Sequence, residues 1–174
     1  NIFMASENIS FIDYSNSIKI VLVGTTHPGN IGAAARAIKT MGLSNLDLVC
    51  PKEFPSNEAT YRSKAAKDIL EKASVYETLL ESVSDCEVVI GTSARNRKVP
   101  WPVLNPKNAS IEINKAVKNS SKVAIVFGRE DRGLTNEELG LCNLHVHIPT
   151  AEEYSSLNLA QAVQIITYEI RMSF

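Results

Sequence analysis

The chain has 174 residues, of which 44% are hydrophobic and 21% charged, with a formal net charge of −1. That composition is ordinary for one globular domain with a sizeable core, and the chain carries no internal repeat and no low-complexity tract. No apolar run reaches membrane-spanning length, no secretory signal pattern opens the chain, and the near-zero charge does not by itself announce a nucleic-acid binder.

Residues 1–17 show no clear period and are expected to be a poorly structured leader or cloning remnant; 18–174 read as one domain. The run I-K-I-V-L-V at 18–23 is a strand rich in β-branched residues, ended by Gly24. After T-T-H-P-G-N, a helix is predicted over about 31–41, with Gly42 closing it. Residues 46–49 form a second buried strand. The segment 56–84 reads as mostly helical, its join near Lys72 left open. A third strand spans 87–90 and stops at Gly91. Pro100, Pro102 and Pro106 then make an irregular connection into a helix over about 109–118. The fourth strand, 123–127, ends at Gly128, and a short helix around 136–139 follows. An alternating run at 145–148 gives way to a polar loop holding Tyr154, Ser155 and Ser156. The last helix carries Leu159, Ala162, Val163, Ile166 and Ile170 at helical spacing, with Asn158 at its N-cap. A terminal helix this apolar must dock on the rest of the domain. Near-continuous apolar strands alternating with helices define an α/β fold, a mainly parallel sheet with helices on both faces.

In such a sheet, ligands bind beyond the carboxyl ends of the strands. Three of those ends look alike: Gly24-Thr25-Thr26, Gly91-Thr92-Ser93 and Gly128-Arg129-Glu130. Taken singly, each glycine is an ordinary strand terminator. Together they point to a nucleoside or nucleotide pocket, although neither G-x-G-x-x-G nor G-x-x-x-x-G-K-[ST] occurs. Arg36, after a glycine and three alanines, is either a solvated helix residue or part of a phosphate track with Arg95, Arg97 and Lys98. Trp101 is a core plug or a platform for an unstacked base. His145 and His147 share one strand face, but no further ligands stand at metal spacing, so no metal is expected. Cys50, Cys86 and Cys142, odd in number and widely spaced, fit reduced thiols and a cytoplasmic location.

Three ordered stretches carry a family resemblance. N-I-G-A-A-A-R (30–36), V-F-G-R-E-D-R-G-L-T-N-E-E-L (126–139) and I-P-T…Y-S-S-L-N-L-A (148–160) resemble the three motifs of the SpoU (TrmH-like) RNA ribose methyltransferases. G-T-S-A-R (91–95), K-V-P-W-P-V-L (98–104) and Y-S-S-L-N-L-A-Q-A-V (154–163) are similar to the TrmJ branch, which methylates tRNA. The resemblance spans nearly all of residues 18–174.

That resemblance implies a SPOUT α/β-knot, in which the C-terminal strand, loop and helix thread an earlier loop as a deep trefoil knot, a rare exception to ordinary topology. It implies S-adenosylmethionine as cofactor, S-adenosylhomocysteine as product and a homodimer with a shared active site, the alanine-rich first helix and apolar last helix burying each other across a two-fold axis. Carried over by position, Thr92, Ser93, Ala94, Gly128, Arg129, Glu130, Ile148, Ser155, Ser156 and Leu157 line the cofactor pocket. Asn30, Glu130 and Asn158 frame the active site, and Arg36 matches the catalytic arginine. An arginine, with a pKa above about 12, does not readily release a proton, so Arg36 reads first as an electrostatic clamp on phosphate and nascent alkoxide. Arg95, Arg97 and Lys98 would add RNA contacts. The implied substrate is a pyrimidine nucleotide of the tRNA anticodon loop, position thirty-two. TrmJ-like proteins usually continue into a C-terminal extension that grips tRNA, so the chain reads as a catalytic domain without it. A non-catalytic nucleotide- or RNA-binding knot domain, and a SpoU-type enzyme acting on rRNA, are the alternatives.

Overall fold

The apolar runs become strands: β1 (Ile18–Val23), β2 (Asn45–Val49), β3 (Ser74–Tyr76), β4 (Val88–Ser93), β5 (Val103–Leu104), β6 (Val123–Phe127) and β7 (Leu144–His147). They pair in one parallel sheet in the order β3-β2-β1-β6-β4-β7-β5. The structure, a computed structural model, describes residues 9–93 and 102–174. β3 lies in the segment read as helical, and β5 in the proline-rich connection. Each is a stub that takes its hydrogen bonds from a longer neighbour, β2 and β7 respectively. Neither carries an alternating apolar pattern that would betray it, since Ser74, Val75 and Val103 are exposed.

Eight α-helices and one 3-10 turn (Lys64–Ala66) among the described residues complete the domain: α1 (Phe11–Asn16), α2 (Pro28–Thr40), α3 (Asn57–Ser63), α4 (Lys67–Lys72), α5 (Leu79–Val83), α6 (Pro106–Lys118), α7 (Asn136–Gly140) and α8 (Leu159–Ser173). The period-2 geometry of the strands sorts the core into two layers. Ile18, Ile20, Leu22, Val123, Ile125 and Phe127 face the long helices α2, α6 and α8; Val21, Val23, Ala124 and Val126 face the short α5 and α7.

Both α2 and α6 start three residues earlier than predicted. In each a proline takes the first helical position, where its fixed φ is preorganised and its missing N–H costs nothing. α1 stands inside the segment expected to be poorly structured. Ser10 caps it by accepting the Asp13 N–H (3.1 Å), and Tyr14 is fully buried, its ring packed with those of Phe11 and Phe174.

The last helix docks as its pattern requires. Asn158 Oδ1 accepts the Ala160 N–H (2.8 Å), and Gln161 Oε1 accepts the Asn158 N–H (3.1 Å). Val163, Ile166 and Ile170 are buried, each worth roughly 1.5–3 kcal/mol of transfer free energy. Gln164 Nε2 donates to Thr40 Oγ1 of α2, and Asn114 Nδ2 of α6 donates to the Ser173 carbonyl. Thus α2 and α8 pack together within one chain, with Ala34 and Ala35 fully buried.

Candidate active site

Because β6, β4 and β7 are neighbours, the loops after their carboxyl ends stand side by side. They enclose a cavity of about 680 Å³, within the range of small-molecule sites. Of the ten residues expected at the cofactor, Thr92, Ser93, Gly128, Arg129, Glu130, Ile148, Ser155, Ser156 and Leu157 line it. Ala94 lies outside the described residues, as do Arg95, Arg97, Lys98 and Trp101. Leu134, Leu139, Val146, Leu159 and Ala162 add apolar wall that motif reading did not assign. Helical and strand periodicity marked several of these as core, which hid their second role.

The three look-alike glycines do three different jobs. Gly24 has φ +65° and leaves room for the Arg129 side chain, which a Cβ would meet at 2.8 Å. Gly91 sits inside β4 rather than at its end, paired with Val126 and His145. A Cβ there would meet Cys142 Sγ at 2.8 Å, so packing requires that glycine. At Gly128 the close neighbour is the chain itself, the backbone of Gly133 and Leu134. The 129–133 turn folds back through paired hydrogen bonds, the Arg129 N–H donating to the Gly133 carbonyl (3.2 Å) and the reverse at 2.9 Å.

Arg129 braces this turn. Its guanidinium donates both to Glu138 Oε1 (2.8 Å) and to Glu138 Oε2 (3.1 Å), a bidentate pair that raises the arginine's pKa. Glu138 also accepts the Thr135 N–H, closing a capping box on α7. The signal for this brace, T-x-x-E, is present in the sequence.

Glu130 is the node of the site. Its carboxylate accepts the backbone N–H groups of Thr26 (3.0 Å) and His27 (3.0 Å) and the Nδ2 of Asn30 (2.9 Å). Burial alone pushes its pKa up, but these three donors outweigh it and hold the group at about 2. The β6 turn is thereby tied to the β1–α2 loop. Asn30 and Glu130, both expected in the polar frame, do meet, and Asn158 caps α8 as its position predicts.

Elsewhere, Thr92 Oγ1 donates to the Val126 carbonyl (2.9 Å), and Thr150 Oγ1 donates to the Ser155 carbonyl (3.3 Å). His147 Nδ1 lies 2.9 Å from the Ser93 carbonyl oxygen, so it holds a cavity wall. Among the described residues no three His, Cys, Asp or Glu side chains gather as a metal set.

Arg36 stands apart. It is exposed on α2, lies outside the cavity lining, and makes no hydrogen bond or ion pair among the described residues. Six residues beyond Asn30, it is displaced about 9 Å along the helix axis.

Fold and site together define an α/β domain with a small-molecule cavity built by the loops that follow β4, β6 and β7. The chain belongs to the SpoU rRNA Methylase family, whose profile matches residues 17–168. It is 55% identical over 157 residues to the tRNA (cytidine/uridine/adenosine-2'-O-)-methyltransferase TrmJ of Pseudomonas aeruginosa (strain UCBPP-PA14), covering 90% of this chain and 61% of that protein. This chain therefore spans about three-fifths of that relative's length. The crystal structure of TrmJ from Z. mobilis ZM4 superposes with a TM-score of 0.84 at 37% identity, covering 89% of this chain and 69% of the other. The SpoU methyltransferase AviRb from Streptomyces viridochromogenes, in complex with the cofactor AdoMet, shares the fold at a TM-score of 0.71 and 21% identity, over 88% of this chain and 59% of that one.

Proposed function

We propose that this chain is the S-adenosylmethionine-dependent domain of a TrmJ-type methyltransferase. It moves a methyl group to a ribose 2′-hydroxyl of tRNA, at a pyrimidine nucleotide of the anticodon loop, position thirty-two. The observation that carries this reading is the cavity of about 680 Å³ whose lining includes Glu130. Ile148, Leu157, Leu134 and Val146 offer apolar walls for an adenosyl group, and a Glu130 that stays ionised down to about pH 2 suits a sulfonium cation. When bound, S-adenosylmethionine supplies an electrophilic methyl group on sulfur and departs as S-adenosylhomocysteine. AviRb holds AdoMet on the same fold, which supports the choice of cofactor.

Transfer to a hydroxyl is an in-line displacement that needs position and help with one proton. Glu130, saturated by three donors and weakly basic, positions the β1–α2 loop rather than taking that proton. Arg36 offers a permanent, unneutralised charge for a phosphate and the developing alkoxide. Its place outside the chain's own cavity supports a site shared between two subunits of a homodimer. The trefoil knot and a cytoplasmic location belong to the same reading. The test is methyl transfer from labelled cofactor to unmodified tRNA, with the modified nucleotide mapped. Transfer to rRNA alone would favour the rRNA-directed alternative; cofactor binding with no transfer to any RNA would favour a non-catalytic domain.

A further inference from the structure

We infer that the α2–α3 flank is an RNA phosphate track in which Arg62 and Lys64 stand on either side of Arg36. This rests on the methyltransferase reading above and adds residues that none of the family motifs contains.

The register between the two helices carries it. Beside Gly29, a Cβ would meet Glu58 and Arg62; at Gly32 it would meet the Ala59 carbonyl, Arg62 Cβ and the Ser63 nitrogen. Further along, Lys39 Nζ donates to the Ala65 carbonyl (3.0 Å) and to Asp68 (2.9 Å). Residue numbers on both helices rise together. Arg36, one turn beyond Gly32 on the same stripe and just before Lys39, therefore falls level with residues 63–65.

The charges there are unbalanced. Arg36, Arg62 and Lys64 are all exposed, and none makes an ion pair among the described residues, whereas Lys39 and Asp68 neutralise each other. Glu58, one turn before Arg62, lies at the Gly29 end of the stripe and forms no ion pair with it.

Lys64 is also held in an awkward place. Its backbone has φ +53° and ψ −123°, a conformation natural to glycine and strained for lysine. Its ammonium sits 3.9 Å from the centroid of the Tyr61 ring, and Tyr61 is itself 69% exposed. Three unneutralised cations in a row, one of them kept at a conformational cost and propped by an aromatic ring, suit a polyanion that runs past Arg36. In a chain whose net charge is −1, this positive stripe is a local feature and not a general excess.

The test uses the 174-residue chain and an unmodified tRNA transcript. Each lost phosphate contact flattens the log–log salt dependence of binding by about 0.7 to 0.9, so an Arg62→Gln/Lys64→Gly double variant should flatten it by roughly 1.4 to 1.8. KM for tRNA should rise while S-adenosylmethionine affinity is unchanged. Lys64→Gly alone should raise the thermal midpoint yet weaken RNA binding, two opposite signs that a purely structural lysine would not give. An unchanged salt slope and KM in the double variant would overturn the track while leaving the proposed function standing. A double variant that falls from dimer to monomer in sedimentation would make the flank a subunit interface and overturn it too. A wild-type chain that binds neither tRNA nor S-adenosylmethionine would sink both readings.

Discussion

Arg36 has the most to lose by substitution and the least to do in the chain's own packing. It makes no hydrogen bond or ion pair among the described residues, so Arg36→Ala should leave folding and cofactor affinity intact while methyl transfer falls on the order of 100- to 1000-fold, the usual loss for one preorganised charge-stabilising group. Arg36→Lys keeps the charge but loses the planar fork. Recovery of much of the rate in single-turnover assays would identify a point charge; no recovery, a bidentate clamp. Glu130 is the opposite case, engaged by three donors of its own chain. Its pKa is about 2 in the folded chain against an ordinary 4.5, so the ionised form adds stability above pH 4.5, and that share is lost as pH falls from 4.5 towards 2. Glu130→Gln removes the charge and turns one acceptor into a donor facing backbone N–H groups. Urea midpoints followed from neutral pH to about pH 2 should show a lower plateau and a shallower acid limb for the variant; superimposable curves would refute the node.

Among the elements, the α2–α3 contact is the tightest and gives the clearest test. Gly32→Ala gains about 1 kcal/mol of helix propensity. Against that, the new methyl would sit on the Ala59 carbonyl of a neighbouring backbone, an overpacking cost of typically 1–3 kcal/mol. The clash should win, giving a lower thermal midpoint and a weakened transfer rate, because Arg36 rides on the same helix; a midpoint at or above wild type would show that α3 yields freely. The glycine among alanines marks a place where another backbone can lie close, and α3 does so at Gly32; which element fills that place is decided by the fold and not by the stripe. The elements themselves were legible where local chemistry decides them. The β-branched runs of β1 and β6 gave strands, and Asn158 with Gln161 gave a cap. Pro28 and Pro106 open helices by the N1 preference of proline, a signal that the surrounding loop-like residues mask. β3, β5 and the interior position of Gly91 were not legible, because hydrogen bonds from β2 and β7 and the volume of Cys142 decide them from a distance.

At the scale of the whole molecule, the cavity and Arg36 lie apart, and a shared site has a direct consequence. Mixing Arg36→Ala chains with Ser156→Trp chains, whose cavity is filled, should restore activity that neither variant has alone, since a mixed dimer holds one complete site. No restoration, with mixed dimers verified by sedimentation, would place the whole reaction within one chain. The sheet also limits how copies can meet. Its outer strands among the described residues are stubs, three residues in β3 and two in β5. Parallel sheets assemble slowly, because each pairing closes a long loop, and half-built strands are then open to strands of other chains. Among the described residues the two outermost strands offer only these short runs of hydrogen-bonding groups, so edge-to-edge pairing with a foreign strand has little foothold once β1, β2, β4, β6 and β7 are in place.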